Sequence, residues 1–138
     1  WTGFEYQVAA HLIYEGLLAE GLEIVRAARA RHDGVRRNPW NEVECGHDYA
    51  RSMSSWAVLL ALSGVHCDVA RGELSFDPVV GAADDEDVFR SFWSCGRGWG
   101  TYTQRRDVTS GEWQPSVEVL GGDMAGIRVR ACGREWTL

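Results

Sequence analysis

The first helical segment is apolar on nearly every side, and this limits the folds open to the chain. Phe4, Val8 and Leu12 lie on one face of a helix, as its periodicity requires. Ala9 and Ile13 lie on the other face. Because an apolar helix face must be buried against another element, this helix needs neighbours on more than one side. We therefore expect one of its faces to be exposed where this chain stands alone.

The pattern changes once along the chain, from helical to strand-like. Residues 4–31 predict two helices, residues 36–47 a long loop and residues 48–63 a third helix. After Gly64 short strands are expected, separated by glycine-rich turns and by an acidic loop at 82–87. The expected strands cover residues 65–70, 73–76, 89–94, 100–105, 117–120, 127–131 and 134–137. The sequence thus predicts a mainly α fold with a β-rich tail, divided into residues 1–64 and 65–138.

Composition excludes two kinds of partner. The 138 residues include 14 Arg, no Lys and 20 acidic residues, for a net charge of −6. An acidic chain gains little from counterion release on a phosphate backbone, so no nucleic-acid partner is expected. The longest uncharged stretch, residues 52–67, is shorter than the roughly 20 residues that a membrane span needs. Because the first residue is Trp1 rather than Met, we expect the chain to be part of a longer protein.

The four cysteines give no sign of a metal site. Cys45, Cys67, Cys95 and Cys132 are far apart, and no His stands beside them at ligand spacing. No phosphate-loop or dinucleotide motif is present either, so we expect no metal and no cofactor. Two disulfides in a secreted protein remain an alternative to free thiols in a reducing compartment. We favour free thiols, and with them a cytoplasmic location.

A charged loop before the third helix holds the best candidate site. If Asp48 caps that helix, Arg51 lies in its first turn, where the helix dipole opposes a cation by about 0.3–1 kcal/mol. A carboxylate from Glu42 or Glu44 would offset this cost. Together, Glu and Arg offer acceptors and a planar set of donors to a polyhydroxylated ligand. The alternative is a salt bridge that only fixes the bend between loop and helix.

Other ionisable residues give weaker signals. Glu42 and Glu44 suggest the paired carboxylates of a glycosidase, but their spacing points them the same way only in an extended segment. His47 is a candidate general base or ligand, although a histidine there more often caps a helix or lies in the core. His11, on an apolar helix, is expected to be a core residue.

The seven tryptophans divide into core and pocket candidates. Aromatic faces suit the C–H surfaces of sugars, and the indole N–H can bond to a hydroxyl. Most tryptophans should nonetheless be core, including Trp56, Trp93 and Trp99 on the predicted helix and strands. Trp1 and Trp40, which lie beside a helix start and the charged loop, are the candidates for a pocket.

Three segments resemble a known enzyme family. Residues 1–3, 38–46 and 49–53 read WTG, NPWNEVECG and YARSM. In this order they resemble the C-terminal part of glycoside hydrolase family 116, a family of β-glucosidases and glucosylceramidases. The resemblance extends through Gly98-Trp99-Gly100 to about Arg106.

The resemblance implies a retaining β-glycosidase with an (α/α)₆ barrel, of which this chain would supply the C-terminal part and some irregular antiparallel strands. The nucleophilic Glu and the acid/base Asp would lie upstream of Trp1, so no catalytic residue is expected here and the isolated chain should be inactive. The family's sugar-binding Glu and Arg, nine positions apart, match Glu42 and Arg51. Trp1 would line the same subsite. The implied partners are a β-glucoside substrate and the remainder of the chain's own catalytic domain.

The chain departs from the family pattern at one position. A His is expected directly before Tyr49, but Asp48 stands there and His47 comes one residue earlier. No role is therefore carried over to His47. The alternative function is a noncatalytic carbohydrate-binding or interaction module. Exposed tryptophans would favour that module, whereas buried tryptophans and a half-formed pocket at Glu42 and Arg51 would favour the glycosidase.

Overall fold

The computed structural model describes residues 1–37, 51–79 and 87–138, with the backbone alone at residues 51 and 52. The chain divides into two compact units, Trp1–Leu62 and Ser63–Leu138. The first is helical and the second is built of strands.

The first unit contains the two helices predicted within residues 4–31. These are α1 (Thr2–Tyr14) and α2 (Leu18–Arg31), followed after the undescribed segment by a 3₁₀ helix (Arg51–Ser55) and by α3 (Trp56–Ser63). Gly16, with a φ of +81°, lies in the short connection that reverses the chain between α1 and α2. A residue with a Cβ is strained in that conformation, so the position favours glycine.

The two long helices pack closely because Gly21 has no side chain. A Cβ on Gly21 would lie 2.8 Å from the Ala9 carbonyl oxygen and 2.7 Å from the Ile13 side chain. Among the described residues, the helical core combines Tyr6 with smaller apolar side chains, namely Ala9, Ala10, Ile13, Ala28, Val58 and Ala61.

The opposite face of α1 is open. Phe4 is 54% exposed and Val8 is 50% exposed, whereas Ala9 and Ile13 are buried. The expectation that one face of this helix is exposed in the chain alone is confirmed.

The third helix differs from its prediction at its start. Its described part begins as a 3₁₀ helix, and the α-helix begins only at Trp56. Serines such as Ser54 and Ser55 compete with the backbone for hydrogen bonds and weaken an α-helical turn. Arg51 therefore opens a 3₁₀ helix, which weakens the argument from an α-helix dipole. The predicted cap Asp48 lies outside the described residues.

The face that α3 buries matches the prediction only in part. Periodicity predicts an apolar stripe of Met53, Trp56, Ala57, Leu60, Ala61 and Gly64. Ala61 is buried as predicted, whereas Met53, Trp56 and Leu60 are exposed. Val58, which lies off the stripe, is buried as well. Periodicity therefore predicts the helix but only part of the face that is buried.

The second unit contains two sheets. Its strands are β1 (His66–Asp68), β2 (Glu73–Phe76), β3 (Val88–Ser94), β4 (Gly98–Arg106), β5 (Trp113–Gly122), β6 (Arg128–Ala131) and β7 (Arg134–Thr137). One sheet has the order β1-β2-β6-β7, and the other has the order β3-β4-β5. The predicted hairpin is confirmed as the antiparallel pair β1 and β2. β2 and β6, by contrast, run parallel.

The core of the second unit joins side chains from both sheets. Along β4 the alternating residues Gly98, Gly100, Tyr102 and Gln104 are buried. The Tyr102 ring stacks on Phe76 of the other sheet, with ring centroids 4.1 Å apart and planes at 6°. The core cluster comprises Leu74, Phe76, Trp93, Tyr102, Met124, Ile127, Val129 and Ala131.

The predicted fold class is wrong. The described ranges hold three α-helices and seven strands in two sheets, which is a mixed α/β fold and not the C-terminal part of an (α/α)₆ barrel. Two effects caused the error: the 3₁₀ turn shortens the third helix, and β4 and β5 extend to 9 and 10 residues. The expected irregular tail is therefore two ordered sheets. No helix in the described ranges is long and apolar enough to cross a bilayer.

Candidate functional site

An open groove of about 460 Å³ lies on the helical unit. One wall is a single stripe of α1, formed by Gly3, Phe4, Gln7, Ala10, His11 and Tyr14. The other wall is formed by Ser54 of the 3₁₀ helix and Ala57 of α3. The stripe follows helical spacing, since residues three, four and seven positions apart share a helix face.

The lining of the groove combines aromatic rings with neutral hydrogen-bonding groups. Phe4 and Tyr14 contribute rings, while Gln7 and His11 contribute an amide and an imidazole. Gly3 and Ala10, on the same stripe of α1, have little or no side chain and so leave space in the groove. None of the described lining residues is a carboxylate, and the aromatic, amide and imidazole groups suit a polar ligand.

The three predicted substrate-binding residues are described to different extents. Trp1 precedes α1, is 68% exposed and stacks on Phe4 with ring centroids 5.6 Å apart and planes at 21°. Arg51 is the first residue of the 3₁₀ helix, which contributes Ser54 to the groove, but its side chain lies outside the described residues. Glu42 also lies outside them, so its convergence with Arg51 stays a prediction.

The remaining candidates of the charged loop, Glu44, His47, Asp48 and Trp40, all lie outside the described residues as well.

The histidine of α1 does not lie where the sequence predicts. His11, expected in the core, is exposed and lines the groove, so that prediction is wrong. His32 is the buried histidine, and its Nδ1 lies 3.1 Å from the Ala28 carbonyl oxygen. The spacing of Phe4, Gln7 and His11 on one face was the signal that could have identified the groove.

The tryptophan predictions are correct only in part. Trp93 is buried, with 1% of its surface exposed, as predicted. Trp56 and Trp99 are exposed, so their assignment to the core is wrong. Trp99 lies on the three-stranded sheet next to Phe92, with ring centroids 6.4 Å apart. The residue alternation along a strand puts these two rings on the face opposite the core.

The described cysteines are free thiols in the second unit. Cys67, Cys95 and Cys132 form no disulfide with one another, and Cys45 lies outside the described residues. Burial raises the pKa of Cys67 to about 11, helped by the neighbouring Cys95 sulfur. Burial also raises the pKa of Cys95, but the backbone N–H groups of Arg97 and Gly98 outweigh it and lower that pKa below 9.0. Within the described ranges no group of His, Cys, Asp or Glu side chains is arranged to hold a metal.

The described residues define a mixed α/β protein whose helical unit carries an open groove of aromatic and neutral polar side chains. No protein-family model matches the chain, and no curated protein matches it significantly.

Proposed function

We propose that this chain is the C-terminal part of a retaining β-glycosidase that acts on a β-glucoside. Glu42, Arg51 and Trp1 contact the glucose in this proposal, and the catalytic Glu and Asp lie upstream of Trp1. The sequence support is the resemblance of residues 38–46 and 49–53 to glycoside hydrolase family 116.

One observation carries the proposal: Gly3 and Ser54 line the same groove. Gly3 is two residues after Trp1, and Ser54 is three residues after Arg51. The two segments that begin with expected glucose contacts therefore border one concave surface. Its aromatic rings suit the C–H face of a pyranose, and its amide and imidazole groups suit the hydroxyls.

The same surface supports a partner for the helical unit. Phe4 and Val8 leave apolar area open beside the groove, and such area is normally covered by another element. The remainder of the catalytic domain is the partner that we propose for it. The free thiols of Cys67, Cys95 and Cys132 support a reducing compartment, and we place the protein in the cytoplasm.

Kinetics on the full-length protein test the role of Arg51. Arg51→Ala should lower kcat/KM for an aryl β-glucoside by roughly 10²-fold or more, because contacts away from the reacting carbon also orient the substrate. Arg51→Lys should restore little, since an ammonium cannot reproduce the planar guanidinium. Arg26→Ala, on the exposed surface of α2, is the matched control and should leave kcat/KM unchanged. An Arg51→Ala enzyme within a few-fold of wild type would contradict the proposal.

The isolated chain provides a second test. Residues 1–138 should not hydrolyse an aryl β-glucoside, because the retaining mechanism needs two carboxyl groups about 5–5.5 Å apart and we place both upstream. Measurable turnover that is lost on changing Glu42 or Glu44 would show that this segment carries the chemistry itself.

A noncatalytic carbohydrate-binding or interaction module is the second candidate function. The exposure of Trp99 beside Phe92 favours it, because surface aromatic residues are the expected signature of such a module. Hydrolysis by the full-length protein distinguishes the two: a binding module has no β-glucosidase activity in any context.

A further inference from the structure

We propose that the outward face of the three-stranded sheet binds a sugar chain, with Trp99 as its stacking residue. This sheet platform consists of Phe92, Trp99, Thr101 and Glu118. It belongs to the second unit, whereas the groove belongs to the first. The proposal that this platform binds a sugar chain does not depend on glucose binding in the groove. The choice of a β-linked glucose polymer as its ligand rests on the proposed function.

The Trp99 ring occupies the space beside a glycine on the neighbouring strand. Trp99 on β4 pairs with Gly121 on β5. A Cβ on Gly121 would lie 2.6 Å from the indole Nε1 and 2.9 Å from Cε2, so any side chain there would displace the ring. The indole therefore packs close to the Gly121 backbone, while 47% of the residue is exposed to solvent. A ring that already packs against the sheet loses less conformational freedom on binding than a fully solvated ring.

A second ring widens the apolar surface. Phe92 on β3 lies beside Trp99, with ring centroids 6.4 Å apart and planes at 38°. Phe92 pairs with Thr101 across the strands, so the two aromatic rings lie next to a row of polar side chains.

The polar row supplies hydrogen-bonding groups at the edge of the rings. Thr101 pairs with Glu118 across the strands, and its hydroxyl donates to the Glu118 carboxylate over 3.1 Å. The next row on the same face contains Thr103 opposite Arg90 and Ser116. Carboxylate, hydroxyl and guanidinium groups next to an aromatic face match a pyranose, which has an apolar C–H face and a rim of hydroxyls. A protein-binding core would instead continue the apolar surface and exclude charge.

The test uses cellohexaose and the chain of residues 1–138 with ¹⁵N-labelled tryptophan. Cellohexaose should shift the indole N–H signal of Trp99 in a saturable way. Trp99→Ala should weaken binding by tenfold or more, and Glu118→Gln should weaken it several-fold without removing the ring. Trp56→Ala removes an exposed tryptophan of the other unit and should leave the affinity unchanged. Thermal unfolding of each variant separates loss of binding from loss of fold, and Trp99→Phe, which keeps a ring, should bind better than Trp99→Ala.

Three results would overturn the sugar platform. One is the absence of a saturable shift at millimolar cellohexaose, and another is an affinity that Trp99→Ala and Glu118→Gln leave unchanged. The third is a Trp99 signal that shifts when the upstream part of the full-length protein is added in trans but not with the sugar, because the face would then be a protein interface. The outcome can be told apart from that of the glucosidase proposal. If Arg51→Ala loses activity and cellohexaose does not bind, only the sheet platform is contradicted. If cellohexaose binds and Arg51→Ala keeps wild-type activity, only the proposed function is contradicted.

Discussion

At the scale of single residues, the two neighbouring thiols of the second unit show how local geometry sets reactivity. Cys67 and Cys95 both pack against the core cluster, and burial opposes ionisation of both thiols, although the net effect on the pKa is opposite at the two sites. Only Cys95 follows a strand into a turn, where the backbone N–H groups of Arg97 and Gly98 stabilise its thiolate. The guanidinium of Arg97 adds to the same effect. The thiolate, which is the reactive form, is thus favoured at Cys95 and disfavoured at Cys67.

Alkylation rates test this difference. At pH 8, iodoacetamide should modify Cys95 faster than Cys67. The rate at Cys95 should rise with a midpoint below pH 9.0, whereas that at Cys67 should rise near pH 11. Arg97→Ala should move the Cys95 midpoint upward, because it removes a positive charge, while Arg105→Ala on a distant part of the sheet should not. Peptide mass spectrometry over a pH series measures the rates, and equal midpoints for the two thiols would refute the assignment.

At the scale of secondary structure, β4 and β5 owe their close pairing to glycine. The register shifts between Trp99 and Gly100, where β4 meets β5 at a bulge. A Cβ on Gly100 would lie 1.8 Å from the Glu118 carbonyl oxygen and 3.1 Å from the Trp93 ring. Both neighbours are fixed, one as backbone and the other as a buried indole, so neither has room to move.

Gly100→Ala should therefore destabilise the second unit. We expect a loss of about 1–3 kcal/mol or more in the free energy of unfolding, as for other overpacked sites. Gly96→Ala is the matched control, since a Cβ there meets nothing within 4 Å. The control should change stability by no more than about 0.5 kcal/mol. Urea unfolding of both variants measures the difference, and similar midpoints would contradict the close approach at Gly100.

The sequence predicted elements better than it predicted what they pack against. Helices α1 and α2 follow from periodicity, which is a property of neighbouring residues. The parallel pairing of β2 with β6 does not, because it joins residues 73–76 to residues 128–131 and depends on the whole unit. Position on a strand predicts a core location for Trp99, but it does not say which face of the strand the core covers.

The candidate site was predictable to a smaller extent. The resemblance predicts that Trp1 contacts the sugar; Trp1 is exposed at the start of α1, and its role in binding stays a prediction. The core prediction for His11 is wrong because it assumes that every face of the apolar helix is buried, whereas the helix has an open face. The pairing of Glu42 with Arg51 stays a prediction.

At the scale of the whole molecule, the helical unit exposes several large apolar side chains on and beside α1. Trp1, Phe4 and Val8 are at least half exposed and lie on or beside one helix. A contiguous apolar patch of this kind marks an interaction site. In the chain alone, the same patch should promote self-association.

A double variant tests this consequence. Phe4→Ser with Val8→Glu should reduce concentration-dependent association of residues 1–138, because it places polar groups on the open face of α1. Stability should change little, since neither side chain belongs to the buried core. Val108→Glu, at a 98% exposed position in a turn, is the control and should leave association as it is. Sedimentation velocity at several concentrations measures the association. A double variant that associates as strongly as wild type would show that the open face of α1 does not mediate self-association.

The parallel pair in the four-stranded sheet also governs when the second unit is able to fold. Glu73 of β2 pairs with Arg128 of β6, and their side chains are joined at 2.7 Å, although 55 residues separate them along the chain. Closing so long a loop is slow compared with forming a hairpin. On the ribosome, the edge of β2 that pairs with β6 in the folded unit therefore stays unpaired until β6 has been synthesised. An unpaired strand edge favours aggregation, so the nascent chain is exposed to that risk during this interval.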